Sequence, residues 1–143
     1  MLKQFSLTFL RVAMGLLLII WGFIRVGAPD AGVGVSTEYY GGIGAATGIQ
    51  YAWGAALLII GLLVVLGLFR RYSLAAQAIV LCFGALSITK YLVDPLGLWL
   101  LSREDSQVLF FPSLAMAAAS LLLITLRDDD KWALDARMGK SSG

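Results

Sequence analysis

The chain has 143 residues, 59% of them hydrophobic and 14% charged, with a mean hydropathy of +0.85, which is too apolar for an ordinary soluble domain and points to a membrane protein. Its net charge of +2 comes from basic residues that flank apolar runs and form no patch, which excludes nucleic acid as a partner. Histidine is absent, which removes the usual axial ligands of a membrane b-type haem and the usual nitrogen ligands of zinc or copper, and the single cysteine, Cys82, has no partner for a disulfide.

Apolar runs of spanning length occur at 5–27, 49–69, 72–93 and 109–126. They predict an all-α fold, a membrane-embedded antiparallel four-helix bundle that forms one domain over residues 1–132. A polar, disordered tail is expected at 133–143.

The first run, as a helix of about 23 residues, reaches ~34 Å and can cross a bilayer. Steps of four and three along one face collect Arg11, Gly15, Leu18, Gly22 and Arg25. Glycines let a partner helix approach closely, and a stripe ending in guanidinium groups should face protein or water rather than lipid. A cleaved signal peptide is the rival reading of this run, since Lys3 precedes it and Val26-Gly27-Ala28 offers small residues at a cut followed by Pro29.

Residues 28–48 are glycine-rich and carry Asp30, Glu38, Tyr39 and Tyr40. The glycines argue against a continuous helix, and the segment is expected on the outer surface as either a lid over the bundle or a passive linker. The second run repeats the glycine device, with Gln50, Gly54, Leu57, Gly61 and Leu68 on one seam. Gly54 and Gly61 are seven apart, as are Gly15 and Gly22, so the first two helices are expected to nest along these glycines.

After the link Arg70-Arg71 the third helix carries the most polar seam: Ser73, Gln77, Val80, Gly84, Ser87 and Tyr91. Gly84 is read there as a further helix-packing residue. Asp94 to Gln107 is a second outer loop, with Pro95, Gly97 and the charged Arg103, Glu104 and Asp105. Its apolar stretch Leu96 to Leu101 is too short to span, so it should lie in the interface with Trp99 as anchor. In the fourth helix Pro112 suits a first turn, and Ser113, Ala117, Ser120 and Ile124 form a small-residue seam. Lys3, Arg70, Arg71, Arg127, Lys131, Arg137 and Lys140 fall on one side of this topology, against Arg25, Lys90 and Arg103 on the other. The positive-inside rule then makes both termini cytoplasmic.

Two polar layers result. Arg11 and Gln77 lie inside the cytoplasmic end, and Gln50, Arg25 and Lys90 lie near the outer end with Tyr91 and Asp94. Arg11, Gln77, Lys90, Gln50 and Arg25 are the candidate ligand-binding residues, and no catalytic residue or metal ligand set is assigned. No carboxylate lies within a span, so the partner of Arg11 is open among Gln77, backbone carbonyls, the cluster 128–130, a lipid phosphate and a bound ligand. The sharpest expectation puts Arg11 in a pocket between the first and third helices, with Gln77 at similar depth, on a carbonyl or anion. There is no histidine-based nucleophile system and no relay of acids, which argues against a hydrolase or a proton pump.

Leu10-Arg11-Val12-Ala13-Met14-Gly15, then Trp21-Gly22-Phe23-Ile24-Arg25, together with Gly54 and the run Gly61-Leu62-Leu63 before a basic turn, resemble the DoxX/DoxD family of small bacterial membrane proteins. The resemblance covers residues 5–126. It departs at Gln50, where many members have an acid. It implies a multi-pass protein of the bacterial inner membrane, in some members a subunit of thiosulfate:quinone oxidoreductase or a partner of other redox proteins. On that basis the expected function is a non-haem, non-metal subunit of a quinone-linked redox complex, with no intrinsic cofactor, a quinone as the candidate ligand, and the bilayer plus a redox subunit or a second copy as partners. The alternative is a non-enzymatic scaffold or a bundle that binds lipid or another small ligand.

Overall fold

The computed structural model describes residues 1–104 and 108–139, and the described residues are helical without a strand. Helix α1 spans Leu2–Gly27, α2 Pro29–Tyr39, α3 Thr47–Leu66, α4 Arg70–Ser87, α5 Thr89–Val93, α6 Pro112–Thr125 and α7 Leu134–Arg137. Single 3-10 turns, Val108–Phe110 and Arg127–Asp129, precede and follow α6.

Sequence punctuation sets most of these ends. Pro29 stops α1, because a proline disfavours helical backbone in the residue before it, and the same proline opens α2 with Asp30 in its first turn. Residues 28–48 are therefore not the irregular loop expected from their glycines. Packing of α2 onto α1 and α3 offsets the ~1 kcal/mol that each interior glycine costs a helix. Gly67 ends α3 three residues before the expected boundary, in the left-handed conformation that a glycine adopts without strain. The third apolar run is broken at Ile88 into α4 and α5, and the fourth begins as a 3-10 turn before Pro112.

The dominant contact is α1 against α3. A methyl group added at Gly61 would lie 2.7 Å from the Gly15 carbonyl oxygen, and one at Gly22 would lie 2.8 Å from that of Gly54. These pairings make the two helices antiparallel and bring their backbones close enough for dispersion contact along the whole interface. Gly84 has open space beside it and makes no such contact, which corrects its assignment as a packing residue. Helix α4 joins α3 to α6, and the core between them contains Leu18, Leu57, Val64, Leu74, Leu81 and Leu123.

Helices α1 and α3 are long and apolar enough to cross a membrane by length and composition; α6, with 14 residues, is shorter. Large apolar side chains cover the outside, among them Phe9, Ile20 and Phe23 on α1, Ile59 and Leu62 on α3, Ile79, Phe83 and Leu86 on α4, and Leu121 on α6.

The tail beyond α6 folds back into the protein. Ala133 is fully buried against Gly67, Asp135 is buried, and the Asp135 amide donates to the Gly67 carbonyl at 3.1 Å. The disordered tail expected from residue 133 is therefore corrected as far as residue 139, and residues 140–143 lie outside the described residues. The reason is electrostatic: two buried arginines find their carboxylates there.

Candidate functional site

Those arginines occupy the end of the molecule where residues 3 and 4 meet the segment 127–137. Arg11, on the glycine face of α1, donates from Nε to Asp130 Oδ2 at 2.6 Å and from Nη1 to the carbonyls of Val64 and Val65. Both residues of the pair are almost fully buried. Asp130 also accepts from the Thr8 hydroxyl and from the Trp132 amide, each at 3.3 Å. Arg70 donates to the carbonyls of Arg127 and Asp130, and its backbone amide donates to Asp135 Oδ2 at 3.0 Å. Gln4 and Lys3 tie the N-terminus to the same segment through Asp129 and Lys131. Arg11 is thus engaged by a carboxylate and two backbone carbonyls of the protein itself. The carboxylate was within reach of sequence reasoning, since three consecutive acids follow the last apolar run. What singled out the third of them was the fold of the tail.

Gln77 is fully buried on α4, and neither its amide nitrogen nor its carbonyl oxygen has a hydrogen-bond partner among the described residues. It makes no bond to Arg11. Lys90 is exposed and lies 4.9 Å from the Tyr91 ring centroid, a cation–π contact at the surface.

Arg25 and Gln50 are brought together at the other end. Nη1 of Arg25 donates to Gln50 Oε1, while Gln50 Nε2 donates to Ser36 Oγ at 3.0 Å and to the Gly44 carbonyl at 2.5 Å. A buried glutamine with its amide fully engaged thus fastens α1, α2, α3 and the turn between α2 and α3 at one point. Beside it opens a cavity of about 270 Å³. Trp21, Ile49, Trp53, Leu57, Val80 and Phe83 form its apolar walls, and Arg25, Ser36, Tyr40, Gln50 and Ser87 supply polar groups. Gly84 lies in the wall, where its missing side chain leaves room. Burial pushes the Tyr40 phenol up, and the nearby positive charge of Arg25 offsets part of that rise. The phenol is therefore a neutral donor at physiological pH. Such a space, apolar with a few convergent polar groups, is the form a small-molecule site takes.

Sequence reasoning missed Trp21, Trp53, Ser36 and Tyr40 as members of this site. The two indoles could have been noticed as rings near the ends of α1 and α3 on the side of Arg25 and Gln50. Ser36 and Tyr40 depend on α2, which was not expected.

The cover over this end is held by an aromatic cluster. Tyr39, Tyr91 and Phe110 meet edge to face with centroids 4.8 to 5.6 Å apart, joining α2, α5 and the turn before α6. Nearby in sequence, the buried Asp94 carboxylate accepts the backbone N–H groups of Leu98, Trp99, Leu100 and Leu101 at 2.8 to 3.1 Å. Burial alone would raise this carboxyl, but the four donors more than reverse that and hold it far below the usual carboxylate range. A depressed native pKa contributes stability above the unfolded value of ~3.9 and loses it only as pH falls through the native value. Amide-exchange protection at residues 98–101 should therefore persist at about pH 3 and be abolished in Asp94→Ala.

Comparison with protein-family models, curated proteins and solved structures found no match to this chain.

Proposed function

We propose that this chain is an integral membrane protein, an antiparallel four-helix bundle of α1, α3, α4 and α6, that holds an amphipathic small molecule in the cavity at its outer end. Burial supports the membrane reading. The core helices of a soluble protein are mostly buried, whereas only 33% of the apolar window in α1 and 28% of that in α3 is buried inside the protein. Exposed leucines, isoleucines and phenylalanines cover the outside while arginine, glutamine and aspartate are inside, a distribution that lipid favours and water does not. The end bearing Lys3, Arg70, Arg71, Arg127 and Lys131 is read as cytoplasmic. In a Cys82→Ala background, a cysteine placed at Thr37 should then react with impermeant reagent added from outside the cell. Labelling only from the cytoplasmic side would reverse the orientation.

The cavity carries the ligand reading. Purification in a mild detergent, followed by mass spectrometry of extracted small molecules and of accompanying proteins, should recover a stoichiometric amphipath. Gly84→Leu, which puts an isobutyl group into the open wall, should displace most of it with the fold retained. Equal ligand content in both proteins would remove the cavity from consideration.

A narrower reading makes that molecule a quinone and the chain a non-haem, non-metal subunit of an inner-membrane redox complex, in line with the DoxX/DoxD resemblance. The aromatic walls favour it, since indole and phenyl faces at Trp21, Trp53 and Phe83 suit a planar ring and Arg25 could donate to a quinone carbonyl. A flavoprotein or a sulfur-handling partner in the same preparation would support this role.

A further inference from the structure

The charge of the outer cavity is unbalanced. Among the described residues, Arg25 is the only charged side chain in its lining, and no acidic side chain pairs with it. Its one hydrogen bond to the described residues is made by Nη1, to Gln50 Oε1. Gln50 is in turn fixed by its bonds to Ser36 and Gly44, so it cannot swing away to serve a ligand. It acts as a positioning residue that fastens one arm of the guanidinium and leaves the Nε–Nη2 edge unused. That edge presents two parallel N–H donors, the geometry that matches the two oxygens of a carboxylate.

We propose that the cavity takes an amphipathic carboxylate, with its two oxygens on the Nε–Nη2 edge of Arg25 and its apolar body between Trp21, Trp53, Leu57, Val80 and Phe83. This rests on the ligand-holding reading above, names the chemical class of that ligand and takes the place of the quinone at this site. A neutral molecule would use the same walls but would leave the guanidinium charge partly desolvated and unmatched. Tyr40, as a neutral phenol, adds a donor and brings no competing anion. A volume of about 270 Å³ accommodates one acyl chain or one ring with a short tail.

The test uses the full chain in a neutral detergent, with Trp99→Phe and Trp132→Phe so that Trp21 and Trp53 report on the cavity. The probes are bromine-tagged dodecanoate, bromine-tagged dodecanol of the same length and a short-chain quinone, applied at alkaline pH where the acid is ionised. Dodecanoate should quench saturably and bind at least about tenfold more tightly than dodecanol, the effect of one charge-assisted interaction. Arg25→Met should erase that preference, with saturable dodecanol quenching showing that the cavity is still formed, and Gln50→Glu should erase it too by placing an acid against the guanidinium. Arg25→Lys keeps the charge without the planar fork and should retain part of the preference, which guards against a folding defect in Arg25→Met. Dodecanol or the quinone binding as tightly as dodecanoate, or a preference untouched by all three changes, would overturn the carboxylate assignment and leave the cavity as a site for neutral ligands. Absence of saturable quenching by any probe would overturn both readings.

Discussion

Replacing Gly61 with leucine should separate α1 from α3 and destabilise the protein by about 3 kcal/mol or more, at or beyond the upper end of ordinary overpacking. Flexible side chains can turn aside from a new group. Here a methyl group at position 61 would meet the Gly15 carbonyl oxygen at 2.7 Å and the Ile19 backbone nitrogen at 3.0 Å, and backbone atoms in a helix cannot. The strain must be relieved by moving a helix, which forfeits dispersion contacts along its whole length. Thermal unfolding in detergent followed by circular dichroism should show a lower midpoint for Gly61→Leu and for Gly15→Leu. Gly84→Leu, which faces open space, should unfold close to the wild type. Similar losses for all three would show that leucine at any glycine is harmful, and that the α1–α3 approach has no special weight.

Asp130→Ala should be the most damaging change outside that interface, at roughly 3 to 5 kcal/mol, the cost of stripping one partner from a buried ion pair. The loss is large because Arg11 cannot leave. Its guanidinium is held beneath the carbonyls of Val64 and Val65, and without Asp130 it becomes a charge with no counter-ion in an almost fully buried place. The double change Arg11→Met with Asp130→Leu removes both charges and should recover much of the stability. Limited proteolysis gives a second readout, since release of residues 127–138 in Asp130→Ala should expose the bonds on either side of Arg127. An unaltered cleavage pattern and an unaltered unfolding midpoint would mean that Arg11 is held by the two carbonyls alone.

Much of the architecture was legible because it is written in local spacing. Four apolar runs, two pairs of glycines seven residues apart, and a proline at position 112 are enough to describe helices, to mark where one of them begins and to specify a face on which backbones can touch. Arg25 and Gln50 could be picked out for the same reason, as polar residues on the glycine seams. The remainder depended on where separated segments meet. Glycine propensity made residues 28–48 read as irregular, yet docking on α1 and α3 outweighs that weak local preference and creates α2, and with α2 come Ser36 and Tyr40. Composition made residues 133–143 read as a disordered tail, whereas the buried Arg70 on α4 draws Asp135 inward, next to the pair that Asp130 makes with Arg11. A run of acids has the same appearance in water or in an ion pair, so the sequence by itself determined that Arg11 needed a partner. Only the tertiary structure decided that the partner is Asp130, because ion pairing acts over a few ångströms in space and 119 residues along the chain leave no local trace of it.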